Sequence, residues 1–386
     1  MGSLVAVDGG RSRCRAAVIG TDGRPCPVAE GPGLPPGSGA AAVEGIVEVL
    51  VATVTSAVVA AAAARHEVGH VEMVSAGLAG LLGSRALAPA VAARLHDRLG
   101  ATRVTLCGDV VAAHAGALPD PDGGVVLSAG TGAVAFGAVP VRVPEPDGTA
   151  TEGLWRSPPA ATLGPVGEGA GLNVDGAGRA GPDARDAGWV IDSAVACVDG
   201  WGHLLGDVGS GFWIGRRGLD AALRAHDGRD GGSPLLARIV ERDVGPLDRL
   251  PELAARAGAG PVAAIASFSV QVAEAAQAGD EIARYIWLEA AAALADSAVA
   301  CARRLNPGSQ IPIALSWVGG LFSAPESLLL EPFLARIRSV FPAADLMPPA
   351  ADALTGAARL ATPGARGALA GLVFDSSSSR RASVTA

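Results

Sequence analysis

Three aspartates set beside glycines give this sequence its clearest means for chemistry. Asp8-Gly9-Gly10-Arg11-Ser12-Arg13 separates two short apolar runs, Leu4–Val7 and Cys14–Ile19. Glycine lets a backbone turn sharply and brings its N–H groups close to an anion; the Ser12 hydroxyl and the Arg13 guanidinium add donors. An aspartate at a strand end can hold a hydrated magnesium ion. Gly108-Asp109 follows the run Arg103–Leu106. A carboxylate that ends a strand and opens a helix is an N-cap or a catalytic base, and the two roles are compatible. Ser128-Ala129-Gly130-Thr131-Gly132 repeats the first pattern between Val125–Ser128 and Ala133–Val139. Each glycine hairpin read alone could equally be a plain turn, and the pair could be an internal duplication or a coincidence of common turns.

The third aspartate lies in the densest glycine stretch. Between Gly200 and Gly215 the chain has six glycines, the tryptophans Trp201 and Trp213, and Asp207. Glycine at this density permits close backbone approach, Asp207 can accept hydrogen bonds from hydroxyls, and the tryptophans can wall a site. The histidines His66, His70, His96, His114 and His226 have no ligand spacing and read as surface or packing residues, and His203 as a structural hydrogen-bonder. Arg216-Arg217 read as solvated.

Composition narrows the chemistry. All 30 basic residues are arginine, so a Walker-A lysine, a Schiff-base lysine and the kinase strand lysine are excluded together. Any phosphate must be held by backbone amides, arginine and metal. A net charge of -8 without a basic block argues against nucleic acid and anionic membranes as partners. The cysteines Cys14, Cys26, Cys107, Cys197 and Cys301 have neither metal nor redox spacing, which points to a reducing cytoplasm. Met1–Arg11 contains no long apolar stretch, so no secretory leader is expected. The apolar run Val49–Ala64 falls short of the ~20 residues of a membrane span and reads as a buried helix.

The elements that must position these residues alternate. Helices are expected over Ala40–Arg65, Ala86–Leu99 and from Asp109. Strands are expected over Val71–Ser75, Arg103–Leu106, Val125–Ser128 and Ile311–Val318. Helices are also expected over Asp220–Ala225, Pro234–Arg242 and Leu250–Ala257, with a long alanine-rich stretch from Val262 to Leu305 broken at Gly279. Alternating patterns resume from Pro325 to Ala361. This is an α/β chain. With 386 residues it should form two domains. The first is expected over 1–116, carrying the first hairpin and Asp109. The second is expected over 117–375, with an irregular insertion at 141–190, and a disordered tail at 376–386. A terminal helix is expected to return to the first domain.

Taken in order, these motifs resemble the sugar kinases of the acetate kinase, sugar kinase and actin superfamily. Within it they are similar to the branch of eukaryotic-type N-acetylglucosamine kinases and BadF/BadG/BcrA/BcrD ATPases. The resemblance is carried by the hairpin at Asp8, Gly108-Asp109, Gly130-Thr131-Gly132, and the specific block Gly200-Trp201-Gly202-His203-Leu204-Leu205-Gly206-Asp207. Gly319-Gly320 and Asp352-Ala353-Leu354-Thr355-Gly356-Ala357 complete it, so nearly the whole chain is covered. It implies a two-domain actin-like ATPase, ribonuclease H-like fold with an interdomain cleft. It also implies ATP and magnesium as cofactors, and transfer of phosphate to the 6-hydroxyl of an amino sugar, first of all N-acetylglucosamine. Asp8, Gly9, Gly10, Arg11, Ser12 and Arg13 would bind phosphate together with Gly130, Thr131 and Gly132. Asp8 would orient magnesium. Asp109 would be the general base, Gly108, Gly202 and Asp207 would join it in binding the sugar, and Gly319 and Gly320 would lie against the adenosine. A homodimer would be the assembly.

The sequence also departs from that pattern. Leu34, in Gly31-Pro32-Gly33-Leu34, stands where these kinases have Asn. Ser12 replaces the usual Thr and keeps the hydroxyl. Ala133 stands where Ser is common, and Val208 replaces a Glu next to Asp207. Glucosamine, N-acetylmuramic acid, mannosamine derivatives and a sugar-like cyclitol therefore stay open as acceptors. The other face of the branch is an ATPase that activates a CoA dehydratase through an iron–sulfur cluster, for which Cys197 would be the candidate ligand. A sugar-sensing repressor is the third reading; it would carry a helix-turn-helix arm, which is not expected ahead of the first strand.

Overall fold

The computed structural model describes residues 2–37, 39–120, 123–140, 193–254, 260–305 and 312–378. The 141–190 insertion lies outside them. The strands are β1 (Ser3–Gly9), β2 (Arg13–Val18), β3 (Ala29–Pro32), β4 (Val71–Leu78), β5 (Arg103–Gly108), β6 (Gly124–Ala129), β7 (Ala133–Pro140), β8 (Ser193–Asp199), β9 (Ile313–Val318), β10 (Ala344–Leu346) and β11 (Val373–Ser377). The helices are α1 (Gly39–Ala63), α2 (Ala88–Leu99), α3 (Asp109–Ala117), α4 (Gly211–Asp227), α5 (Pro234–Asp243), α6 (Leu250–Ala254), α7 (Gly260–Ser267), α8 (Ser269–Gln277), α9 (Glu281–Leu305), α10 (Leu330–Val340) and α11 (Ala353–Leu360).

One sheet has the order β11-β5-β4-β1-β2-β3, the other β10-β9-β6-β7-β8. The first five strands of each repeat one plan. Each hairpin pair, β1-β2 or β6-β7, is extended on one side by its next strand and flanked on the other by two later ones, β4 and β5 or β9 and β10. This shared order favours duplication over coincidence for the two glycine hairpins.

The chain divides into two compact units, one of Met1–Gly124, Gly137–Ala196 and Pro348–Ala386, the other of Val125–Phe136 and Cys197–Met347. The division differs from the expected boundary at Gly116: the segment from Pro348 onward joins the first unit. Its α11 crosses α3 at two glycines. A Cβ on Gly356 would stand 1.9 Å from the Ala112 carbonyl oxygen, and one on Gly116 2.1 Å from that of Asp352.

In the first unit, alternation along β1 and β4 sends Val5, Val7, Val74 and Ala76 into a core with Ile46, Val47, Leu50 and Val54 of α1 and Val91 and Leu95 of α2. The intervening Ser75 meets the other face, where its hydroxyl donates to the Ala357 carbonyl of α11 at 2.5 Å. Helices thus cover both faces, as parallel strands require. Both α1 and α9 are long and apolar enough to cross a membrane by length and composition. Each nevertheless turns one face into its own unit's interior, α1 through Leu50 and Val54, α9 through Trp287 and Leu294.

Three expectations are corrected. Ser376 and Ser377 belong to β11, which pairs antiparallel with β5, so order extends past the expected start of the tail. Residues 379–386 of that tail lie outside the described chain. Helix α4 starts at Gly211 rather than Asp220. Its glycines hid it: Gly215 admits the Ile265 carbonyl, whose oxygen would be 1.8 Å from a Cβ, and Gly218 admits Val272. Packing there outweighs the ~1 kcal/mol that glycine costs a helix. The alanine-rich stretch breaks at Phe268 as well as around Gly279.

Candidate active site

In the first unit, strand register gathers the acidic residues. Asp8 pairs with Gly77 across the parallel β1–β4 ladder, and Gly77 with Cys107 across β4–β5. Asp8 and Gly108-Asp109 therefore lie at the ends of the two strands that flank β4, at one sheet edge, the carboxyl edge where open α/β sheets hold ligands. Gly77 permits this crowding, since a Cβ there would stand 2.5 Å from Ala112 Cβ and 3.5 Å from Asp109 Cα. Gly108 is the N-cap of α3 and Asp109 its first residue, so the N-cap reading of Asp109 gives way to a place in the first turn. The helix dipole favours an anion there.

Asp109 keeps some exposed surface, yet the protein around its carboxyl pushes its pKa up to about 6. Burial is the main cause and the nearby charge of Asp8 adds to it; the Val110 and Asp109 amides and the Arg11 guanidinium oppose it. A carboxylate in this condition can take a proton near neutral pH.

The first hairpin closes by a bond from the Gly10 amide to the Arg13 carbonyl at 2.9 Å. Arg11 is exposed and donates from Nη1 to the Pro35 carbonyl at 2.6 Å. Its Nη2 lies where a Gly80 Cβ would be, 2.5 Å away. Arg13 pairs with Glu30 at 3.1 Å in an exposed bridge. Ser12 is exposed at the tip. Asp8 faces Arg15 across the β1–β2 ladder, and Arg15 donates to its Oδ2 from Nη2 at 2.7 Å and Nε at 3.2 Å. The third nitrogen of Arg15, Nη1, reaches Asp352 Oδ2 at 3.1 Å. The Gly31–Leu34 loop runs beside this hairpin, with the Leu34 amide donating to the Gly10 carbonyl. Leu34 itself is buried against Gly9, so this position offers no polar group.

In the second unit the Gly130–Gly132 hairpin is held by the start of α4. The Gly211 amide donates to the Gly130 carbonyl at 2.8 Å and the Phe212 amide to that of Thr131 at 3.1 Å. Ser210 caps α4, accepting from the Trp213 amide. Asp207 packs on the same hairpin: a Cβ on Gly132 would lie 2.7 Å from its Oδ2. The Ala133 and Gly202 amides donate to its carboxylate. Burial raises its pKa and Asp199 raises it further, against those amides and His203. His203 packs edge-on against Phe212. Gly319, at φ 109°, sits against the end of β6, where a Cβ would be 2.1 Å from the Ala129 carbonyl oxygen; Gly320 faces open space. Arg217 is not simply solvated, since it stacks on Trp213 and pairs with Glu289.

Each unit thus brings its own candidates together: Asp8 to Arg13 with Gly108 and Asp109 in one, Gly130 to Gly132 with Gly202, Asp207, Gly319 and Gly320 in the other. Sequence reading missed Arg15 and Asp199, and it quoted Asp352 in the closing motif without a role at the site. Arg15 was visible as the residue opposite Asp8 once the hairpin register is drawn, while Asp199 carries no signal beyond preceding Gly200. Among the described residues no three metal-ligating side chains gather. A magnesium ion takes one or two carboxylates and fills its shell with water and phosphate oxygens. Arg15 engages Oδ2 of Asp8.

Comparison with known proteins gives the fold its name. Residues 181–361 match the model of the BadF/BadG/BcrA/BcrD ATPase family. A Chromobacterium violaceum protein provisionally named an N-acetylglucosamine kinase superposes with a TM-score of 0.61 at 22% identity, over 94% of this chain and 99% of that one. A Porphyromonas gingivalis protein provisionally given the same name superposes with a TM-score of 0.61 at 16% identity, over 93% and 97%. A ROK family glucokinase from Streptomyces griseus, solved with glucose and AMPPNP, gives 0.52 at 20% identity, over 93% and 99%. The chain shares the fold of these proteins, an α/β actin-like ATPase fold.

Proposed function

We propose that the protein is an ATP-dependent kinase that phosphorylates the 6-hydroxyl of an amino sugar, with N-acetylglucosamine as the first acceptor to try. The observation that carries this reading is Asp109. It directly follows β5 at the carboxyl edge of the sheet, opens α3, and has its pKa raised to about 6. Such a group takes the proton of a primary hydroxyl as the oxygen attacks the γ-phosphorus. The fold and the matched ATPase family support ATP as the donor.

Asp8 to Arg13 and Gly130 to Gly132 are each proposed to present amides and a hydroxyl to ATP phosphates, the work a lysine does elsewhere. Asp8 would hold magnesium, which neutralises developing phosphate charge when bound. Asp207 and Gly202, with Gly108 and Asp109, would bind sugar hydroxyls, and Gly319-Gly320 would lie along the adenosine. The five cysteines are all buried, in keeping with a reducing cytoplasm. A homodimer remains part of the proposal on resemblance.

The dehydratase-activator reading is weaker. It needs an accessible cysteine ligand, and Cys197 is 8% exposed on β8. The test is ADP release with magnesium and ATP against hexoses, hexosamines and N-acetylhexosamines. Acceptor-dependent release supports the kinase. Acceptor-independent hydrolysis together with bound iron overturns it in favour of the activator.

A further inference from the structure

We propose that Asp199 is a positioning residue: by accepting the amide hydrogens of Asp207 and Val208 it fixes the Asp207 carboxylate for the acceptor. The inference rests on the reading of Asp207 as an acceptor ligand. Asp199 ends β8, and the chain leaves it in the left-handed region at φ 61°. Asp207 is left-handed too, at φ 55°. Non-glycine residues rarely adopt that conformation, and it persists only where surrounding contacts hold it. Asp199 supplies such contacts. Its Oδ1 accepts the Asp207 amide at 2.7 Å and its Oδ2 accepts the Val208 amide at 2.9 Å. Both oxygens are spent on backbone, so Asp199 acts through Asp207 rather than on a ligand.

The arrangement is closed around that bond pair. Gly206 must be glycine, because a Cβ there would stand 2.4 Å from Asp199 Oδ1 and 2.9 Å from Trp201 Cβ. The turn from Gly202 to Gly206 is itself closed by the Gly206 amide on the Gly202 carbonyl at 2.8 Å. With its backbone held this way, Asp207 returns its carboxylate to the Ala133 and Gly202 amides, against Gly132. Losing Asp199 frees the backbone of Asp207, and the carboxylate with it. The charged groups bearing on Asp207 are Asp199, which strengthens its hold on a proton, and His203, which weakens it.

The experiment compares wild type with Asp199→Ala, Asp199→Asn and Asp207→Asn in the full chain, in kinetics with the acceptor found active and in backbone amide NMR. Asp199→Ala should raise the acceptor KM about tenfold or more, with kcat within a few-fold and the ATP KM unchanged. Asp199→Asn keeps one acceptor oxygen and should recover part of the loss. Without the Asp199 charge, the acid limb of 1/KM should move to lower pH. The Asp207 and Val208 amide protons should shift upfield and exchange faster in both Asp199 variants. Unchanged shifts and exchange at these two amides overturn the proposal, as does an acceptor KM unmoved in Asp199→Ala while Asp207→Asn raises it. If Asp207→Asn also leaves the acceptor KM unmoved, the reading of Asp207 fails, and the claim that Asp199 positions it for the acceptor is overturned with it.

Discussion

Asp8 and Arg15 face each other across the first hairpin and share two hydrogen bonds on one carboxylate oxygen, Asp8 Oδ2. The same guanidinium reaches Asp352, whose Oδ1 accepts the Thr355 amide at the start of α11. One arginine therefore ties the proposed magnesium carboxylate to the C-terminal helix of its unit. Both Asp8 and Arg15 are half-buried, with side chains 20% and 23% exposed. Arg15→Met should cost about 1–3 kcal/mol in urea denaturation, because it strands a half-buried carboxylate. Loss of less than a few tenths would show that the bridge is no more than a surface pair.

The crossing of α3 and α11 brings their backbones together at Gly116 and Gly356. Gly356→Ala should destabilise the protein by about 1–3 kcal/mol, since its Cβ would overlap the Ala112 carbonyl. Thermal unfolding checks this, and an unchanged midpoint would mean that the helices separate at little cost.

Asp109 makes an opposite prediction for stability and activity. Its folded pKa, about 6, lies above its ordinary value of 3.8. The native state thus binds the proton more tightly, so this group's contribution is most favourable below the unfolded pKa and is lost as pH rises from about 4 to about 6. Asp109→Asn should be more stable than wild type at pH 7, by at most about 3 kcal/mol. The margin should vanish below about pH 4. Denaturation at the two pH values reads it. Wild-type kcat/KM should fall with a one-proton slope below about pH 6.

Strand β11 is fastened by a buried arginine. Arg366, 7% exposed, donates to both oxygens of Asp375 and to the Leu360 carbonyl, and Thr105 donates to Asp375 as well. Asp375→Ala leaves that guanidinium without its counter-charge and should cost about 3 kcal/mol or more. Although burial raises the Asp375 pKa, the Arg366 and Thr105 bonds outweigh it and hold it below 3.8. Its contribution is therefore present above the ordinary carboxylate pKa and lost as pH falls below it.

Much of this architecture was legible in the residues. β-branched runs ending in Asp-Gly or Gly-Asp marked β1 and β5 because parallel strands must be apolar and their ends must turn. The two glycine hairpins were legible for the same reason. Helix α4 was not, because Gly211, Gly215 and Gly218 signal a loop locally and are helical only through packing on α7 and α8. β11 was hidden because Val373–Ser377 is short and polar at its end, and only its pairing with β5 and the Arg366–Asp375 bridge make it a strand. Asp199 was hidden because its role lies in backbone geometry eight residues away. Asp109 was seen, but its elevated pKa comes first from burial and then from Asp8, and only the folded sheet supplies the one and brings the other near.

The most direct test of the central claim is phosphoryl transfer by Asp109→Asn to the active acceptor, followed by NMR of the product, with acceptor affinity measured by calorimetry. The account predicts product phosphorylated at the 6-hydroxyl by wild type, a loss of about 10²–10⁴-fold in kcat for the variant, and retained acceptor binding. Turnover within a few-fold of wild type would contradict it.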